Sequence, residues 1–465
     1  MKKPNIIFVL IDDMGWKDLS CCGSTFYETP NIDKLGAEGM MFSNAYASCP
    51  VCSPSRASFL SGQYPARVGI TDWIDHANRR HPCKGRLIDA PYLRHLPKDT
   101  YTIANALHDV GYATWHVGKW HVGMDEYLPE YFGFEENIGG CGTGSPPGGY
   151  FSPYNNPKLP DGPEGEYLTD RLTDEAIALI ESGEERPFFL HMSHYTVHVP
   201  LEGKQADTDK FLAKAERLGL DIKPFEIGEE FTTEDKKGKH VVRRTYQSDP
   251  VYAGMIWNLD QNMGRLMDAL ERTGQKDNTI VVFTSDNGGL ATAEGSCTCN
   301  APASEGKGWV YEGGVRVPLI FWYPKSIPAG STCDENVITM DFYNTFFAMI
   351  GETVPQETIL DGADLSPLFA GNAIAPRPLF WHYPHYGNQG GRPSASVLWG
   401  NDKLIFDFES QSAKLFDLNT DIGEKDDIAA QHPEKVSTLC AILEKWQADI
   451  MATFPTLNDN YTAAK

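Results

Sequence analysis

Ile6-Ile7-Phe8-Val9-Leu10-Ile11, followed at once by Asp12-Asp13, is the stretch that decides the fold. Six consecutive apolar residues, most of them branched and none alternating with polar ones, read as a strand buried on both faces, which is the signature of a parallel sheet covered by helices. A second run of the same kind, Thr279-Ile280-Val281-Val282-Phe283-Thr284, ends in Ser285-Asp286-Asn287-Gly288-Gly289. Two buried strands therefore both end in oxygen-bearing side chains. Between them, residues 112–117 and 188–192 read as further short strands. Residues 31–39, 102–110, 168–180 and 252–270 repeat apolar side chains at helical spacing, with Tyr252, Ile256, Leu259, Met263, Leu266 and Leu270 on one face of the last. Strands alternating with helices predict an α/β fold, a large and mostly parallel central sheet sandwiched by helices. In such sheets ligands gather at the carboxyl ends of the strands, where these aspartates fall.

After residue 361 the texture changes. Short strand patterns at 395–398, 404–408 and 415–418, then a helical stretch at 436–450, predict a smaller C-terminal α+β domain carrying an antiparallel sheet. The expected division is residues 1–365 and 366–465. Residues 139–163 are rich in Gly and Pro and read as a long surface loop near a site. Residues 203–249 are polar and read as a solvated insertion, with 232–243 as an exposed hairpin.

The chain has 465 residues, 41% hydrophobic and 22% charged, which is globular and long enough for a sizeable core without staples. No run of 18 apolar residues exists, so no transmembrane helix is expected. Forty basic residues against 63 acidic ones give a formal net charge of -23, which disfavours nucleic-acid partners and requires any anion site to be built locally. Ten cysteines are too few for a disulfide scaffold, and their spacing does not suggest a structural zinc site. Cys297-Thr298-Cys299 reads as free loop thiols or a strained bridge rather than a metal site. The N-terminus enters the first strand too soon for a signal peptide, so the sequence as it stands reads as cytoplasmic, or as periplasmic or secreted if a leader has been trimmed.

The sharpest local signal is Cys52-Ser53-Pro54-Ser55-Arg56-Ala57-Ser58-Phe59-Leu60-Ser61-Gly62. Pro54 suits a first helical turn and Ser53 an N-cap, which puts Cys52 just before a helix whose dipole favours an anion, with Arg56 adding a fixed positive fork. This run resembles the C-x-P-S-R-x-x-x-L-x-G signature of type I sulfatases, within the alkaline phosphatase-like superfamily. Other segments similar to that family follow in its order. Asp12-Asp13 and Asp286-Asn287 resemble its metal ligands, Gly118-Lys119-Trp120-His121 its G-K-W-H segment, His198-Val199-Pro200 its H-x-P segment, and Gly306-Lys307-Gly308 its later lysine. Arg316 also fits the pattern and reads as structural. The resemblance spans residues 5–324 and continues more weakly beyond.

The resemblance implies that Cys52 is oxidised to Cα-formylglycine by a separate maturation enzyme, since a thiolate is a poor ligand for a hard cation. Three carboxylates and an amide, with Cys52 so oxidised, form an oxygen-only site that suits Ca²⁺, or Mg²⁺, and disfavours zinc. One hydroxyl of the hydrated aldehyde would attack the sulfur of a sulfate ester, and loss of a proton from the other would expel sulfate. His121 is the expected partner of that second hydroxyl. His198, preferred over His194, is the expected general acid, with Arg56, Lys119 and Lys307 neutralising charge.

Specificity is read from two mixed aromatic and cationic segments. His76, Arg79 and Arg80 follow Thr71-Asp72-Trp73, and His382 and His385 lie in Trp381-His382-Tyr383-Pro384-His385-Tyr386-Gly387. Such a mixture suits a sugar ring. The expected function is an exo-acting sulfatase on a sulfated carbohydrate, galactose or N-acetylgalactosamine units first. The alternatives are a phosphonate monoester or phosphodiester hydrolase of the same superfamily, and a non-catalytic sulfoglycan binder in which Cys52 stays unmodified.

Overall fold

The computed structural model describes residues 2–75 and 82–461. Eight strands form the central sheet in the order Ser331–Cys333, Met40–Phe42, Leu319–Trp322, Thr279–Ser285, Asn5–Ile11, Phe188–Ser193, Ala113–Gly118 and Glu136–Ile138. Only Leu319–Trp322 runs against the others. The four strands from Thr279–Ser285 to Ala113–Gly118 are adjacent and parallel, so their carboxyl ends lie side by side.

Every residue of Asn5–Ile11 is buried, and its alternation assigns the two faces. Ile7, Val9 and Ile11 join one apolar core, which includes the inner stripe of the helix Pro250–Arg272. Ile6, Phe8 and Leu10 join the other, where Phe8 stacks on Phe59 of the helix Cys52–Ser61 with centroids 3.9 Å apart. The long helix starts sharply because Asp249 accepts from the amides of Val251 and Tyr252, with Pro250 in the first turn. Thr102 and Asn105 close a reciprocal cap on Ile103–Asp109 in the same way.

A four-stranded antiparallel sheet, Leu379–Tyr383, Ser394–Trp399, Asp402–Asp407 and Ser412–Asp417, carries the helix Pro433–Asp449. Its first strand has no clear signature in the sequence, because His382 interrupts a short apolar run that does not alternate either. The sheet does not enclose a core of its own. Trp381 packs on Tyr46 and donates to Ala47 O at 2.8 Å, and Tyr64 and Val315 share its apolar cluster with Leu404 and Leu443. The final strand, Thr456–Leu457, pairs with Leu87–Ile88.

The polar stretch at 203–249 is more ordered than its composition suggests. Gln205–Leu218 is a helix that packs on Pro250–Arg272 through Phe211 and Ala215, and Phe225–Glu230 pairs with His240–Arg244. Two buried side chains in fourteen residues make too narrow a stripe to announce a helix. Among the described residues all ten cysteines are free, Cys297 and Cys299 included, and no helix is long and apolar enough to cross a membrane.

Candidate active site

The four adjacent carboxyl ends deliver the predicted residues to one place. Asn5–Ile11 leads into Asp12 and Asp13, Thr279–Ser285 into Asp286 and Asn287, Ala113–Gly118 into Lys119 and His121, and Phe188–Ser193 into the segment that ends at His198. The helix Cys52–Ser61 brings Cys52 to the same edge. Its N-cap is Val51, without a side-chain cap, and Cys52 is the first helical residue rather than the one before it. Ser53 instead accepts from the amide of Ile74 at 3.0 Å, which holds residues 73–75 beside Cys52.

The carboxylates are tied together by cations. Lys119 Nζ lies 2.5 Å from Asp12 Oδ2, and Lys307 Nζ lies 2.7 Å from Asp13 Oδ2. Arg56 donates Nε to Asp286 Oδ2 at 2.8 Å, and its second nitrogen donates to Ser193 Oγ at 2.6 Å and Lys119 O at 3.1 Å. The Asp13 amide donates to Asp286 Oδ1 at 3.2 Å, and Asn287 Nδ2 donates to Asp13 Oδ1 at 2.8 Å. Asp13 adopts the left-handed conformation at φ +62°, strain of the kind that gathers where a site dictates the backbone.

The two adjacent aspartates titrate in opposite directions. Burial lifts the Asp12 carboxyl well above the usual range, opposed by Lys119 and Arg56 and aided by the negative charges of Asp286 and Asp13. Burial acts on Asp13 too, but Lys307, His198 and Lys119 overcome it and hold that carboxyl below the usual range. Burial lowers Lys307, yet Asp13, Cys52 and Asp12 together more than restore it, so the ammonium is held charged.

Asp12 Oδ1 and Asn287 Oδ1 are buried and accept no hydrogen bond among the described residues. Two such oxygens cost roughly 1–3 kcal/mol each when left unmet, and they are what an oxygen-seeking cation would satisfy. Among the described residues, one atom each from Asp12, Asp13, Cys52 and His198 lies within 4.8 Å of the others, a set able to hold a metal ion. The residues therefore fit a divalent cation.

A cleft of about 570 Å³ opens over this floor. Cys52, His121, His198 and Lys307 line it, with Trp73, Asp75, the loop 143–145, Glu294, Asn388 and Gln389. His198 Nδ1 lies 2.7 Å from Val199 O, so that nitrogen carries the proton, and Nε2 stands 3.7 Å from Asp13 Oδ2. His121 Nε2 lies 3.1 Å from Ile74 O, which makes Nδ1 the acceptor in the neutral ring. Tyr150, in the Gly- and Pro-rich segment, supports the His198 turn, its hydroxyl 2.7 Å from Tyr195 O and 2.9 Å from His198 O. His194 is buried, does not line the cleft, and is pushed down to about 3 by burial.

Several expectations need correction. Arg56 and Lys119 do not line the cleft, because their charge is engaged by Asp286 and Asp12 behind its floor. His382 is 5% exposed and lies between Thr453 O at 2.7 Å and Gln447 Nε2 at 3.1 Å, and His385 is fully buried 2.8 Å from Thr71 Oγ1. Packed in this way, neither histidine reaches the cleft to touch a sugar. His76, Arg79 and Arg80 lie outside the described residues. Arg316 is structural as expected, its Nε 2.7 Å from the buried Glu312. Glu294, Asn388 and Gln389 carried no signal in the sequence, since nothing in their spacing ties two distant loops to one wall.

Comparison with known proteins agrees with this geometry. A family model described as Sulfatase matches residues 4–352, and one described as N-sulphoglucosamine sulphohydrolase, C-terminal, matches residues 305–449. N-acetylgalactosamine-6-sulfatase of Canis lupus familiaris is 30% identical over 404 residues, covering 82% of this chain and 68% of that protein. A sulfatase of Formosa agariphila is 30% identical over 511 residues, covering 93% and 86%. The solved structure of Ps i-CgsB superposes with a TM-score of 0.77 at 28% identity, covering 96% of this chain and 93% of that one. With the signature residues gathered at the carboxyl edge of the sheet and the family matched over most of its length, the chain belongs to the sulfatase family and is a sulfuric ester hydrolase.

Proposed function

We propose that the chain hydrolyses sulfate monoesters of a sugar, acting from the chain end on galactose or N-acetylgalactosamine units, after a maturation enzyme has oxidised Cys52 to formylglycine. The observation that carries the reading is the cleft itself, in which Cys52, His121, His198 and Lys307 converge over buried carboxylates. The sugar is supported by relatives, one named N-acetylgalactosamine-6-sulfatase and one structure, 29% identical, described in complex with k-i-k-neocarrahexaose.

Asp12, Asp13, Asp286, Asn287 and the oxidised side chain at position 52 would hold a divalent ion, Ca²⁺ or else Mg²⁺, which would supply positive charge to polarise the ester. Water added to the aldehyde at position 52 would give two hydroxyls, one to attack sulfur and one whose deprotonation releases sulfate. Lys307 holds its ammonium at the floor, where charge grows on the transferring group. His198, protonated on both ring nitrogens, would deliver the Nε2 proton to the leaving oxygen, its ring fixed by the bond from Nδ1 to Val199 O. His121 accepts the proton of the second hydroxyl at Nδ1, its Nε2 being engaged by Ile74 O. Arg56 and Lys119 hold Asp286 and Asp12 in position from beneath.

The test is sulfate release by matured protein from defined monosulfated sugars, alongside mass spectrometry of the peptide bearing Cys52. Sulfate release with an aldehyde at position 52 is expected. An intact thiol after co-expression with a maturation enzyme, or a preference for phosphodiesters, contradicts the reading.

A further inference from the structure

The cleft has a cationic floor and, on its wall, a group of uncharged and acidic side chains that no step above uses. The turn following the strand Leu379–Tyr383 brings Asn388 and Gln389 into the lining beside Glu294. Gln389 is 3% exposed and donates Nε2 to Glu294 Oε2 at 2.7 Å. A Cβ on Gly308 would stand 2.3 Å from Gln389 Oε1, so this carboxamide is wedged between the Lys307-Gly308 turn and Glu294. Asn388 differs. Its backbone carbonyl is fixed by Lys236 Nζ, yet its side-chain Oδ1 is buried and accepts no hydrogen bond among the described residues. Folded proteins leave few buried polar atoms unmet, and one that lines a cleft is best explained by a ligand that meets it.

We propose that Asn388 is a specificity-determining residue that hydrogen-bonds a free ring hydroxyl of the sulfated sugar, and that the adjacent Glu294 carboxylate excludes substrates carrying a second sulfate or a carboxylate at that position. A carboxamide offers both a donor and an acceptor, which matches an alcohol. A carboxylate beside it accepts from a hydroxyl and repels an anion. The substrate class that follows is a monosulfated neutral sugar, in keeping with a lining in which, among the described residues, the lysine lies at the floor. This inference rests on the carbohydrate reading above.

The experiment compares matured wild type, Asn388→Ala and Glu294→Gln on 6-sulfated N-acetylgalactosamine, its monodeoxy analogues, a disulfated form, and 4-nitrophenyl sulfate, which has no ring hydroxyl. A pocket built to bond a hydroxyl discriminates strongly against the analogue that lacks it. Wild type should lose about tenfold or more in kcat/KM on one monodeoxy analogue. Asn388→Ala should lower the ratio of sugar to aryl sulfate kcat/KM by about the same factor, with no further loss on that analogue. Glu294→Gln should raise the relative kcat/KM on the disulfated form about fivefold. An unchanged sugar-to-aryl ratio in Asn388→Ala, or no sensitive position in the wild-type deoxy series, overturns the inference while the carbohydrate reading stands. Turnover of the aryl sulfate with none of any sugar overturns both. The wild-type deoxy series decides the matter even where Asn388→Ala fails to fold.

Discussion

Two groups of buried charge are assembled from the same parts and finish differently. Where the four-stranded sheet meets the segment after the large sheet's central strands, Lys403 Nζ lies 2.8 Å from Glu312 Oε1 and 2.9 Å from Glu424 Oε1, and Arg316 Nε lies 2.7 Å from Glu312 Oε2. At the edge of the large sheet, Asp12, Asp13 and Asp286 face Lys119, Lys307 and Arg56. In each group burial drives one carboxylate up while cations hold its neighbour down, Glu424 against Glu312 and Asp12 against Asp13. The interface group binds two parts of the chain together and opens onto no catalytic residue. The edge group leaves Asp12 Oδ1 and Asn287 Oδ1 unmet and lies beneath a cleft. Charge balance alone therefore does not mark a catalytic centre. Nor does open space alone, since Glu424 lines a cavity of about 490 Å³; the edge group differs in that ligand atoms of Asp12, Asp13, Cys52 and His198 converge within 4.8 Å of one another beneath its cleft.

Substitutions that break one group and spare the other sharpen this contrast. The largest effect falls at the edge: Cys52→Ala, or Asp286→Asn, should reduce sulfate release by roughly 10³-fold or more, since the proposed nucleophile or a proposed ligand is gone. Calcium should raise the melting temperature of the wild type, because binding to the folded state alone stabilises it, and Asp286→Asn should lose most of that rise. Lys403→Met should act in the opposite sense. Two buried carboxylates lose their shared cation, which should destabilise the fold by about 3–5 kcal/mol in denaturant titration, while turnover per folded molecule stays near wild type. Equal losses of turnover and stability in both variants would erase the distinction.

Lys307→Ala should lower kcat by about 10²-fold with little change in melting temperature when calcium is present, because the ion replaces the charge that Asp13 loses. A melting-temperature loss as large as that of Lys403→Met would make Lys307 a structural lysine. The smallest effect is a slope. Burial raises Glu424 from an ordinary 4.5 to about 7, helped by Glu312 and opposed by Lys403. Between those values the folded chain holds a proton that the unfolded chain releases, so this group's contribution to stability falls as pH rises from about 4.5 through 7. Glu424→Gln should flatten that decline in melting temperature between pH 5 and 7, and an unchanged slope would remove Glu424 as its source.

Much of this was legible in the sequence, for identifiable reasons. Asn5–Ile11 and Thr279–Ser285 announced themselves because strands buried on both faces are continuously apolar, and strand ends in a parallel sheet display their next residues to a ligand. Cys52, Asp12, Asp13, Asp286, Asn287, His121, His198 and Lys307 were named before any coordinates, and the fold brings them together. What failed was inference from side-chain type without orientation. Trp381-His382-Tyr383 looked like a sugar platform, but it is an interior strand whose histidine is used by Thr453 and Gln447. Arg56 looked like an anion fork, but its guanidinium points into the carboxylates. Asn388 and Glu294 were invisible because their meeting depends on how two distant loops close over one cleft.

The most direct test of the central claim is calcium-dependent sulfate release from a monosulfated sugar by the matured protein. The account predicts turnover that disappears with chelator and returns on adding calcium in proportion to site occupancy. Undiminished turnover in metal-free protein would contradict it.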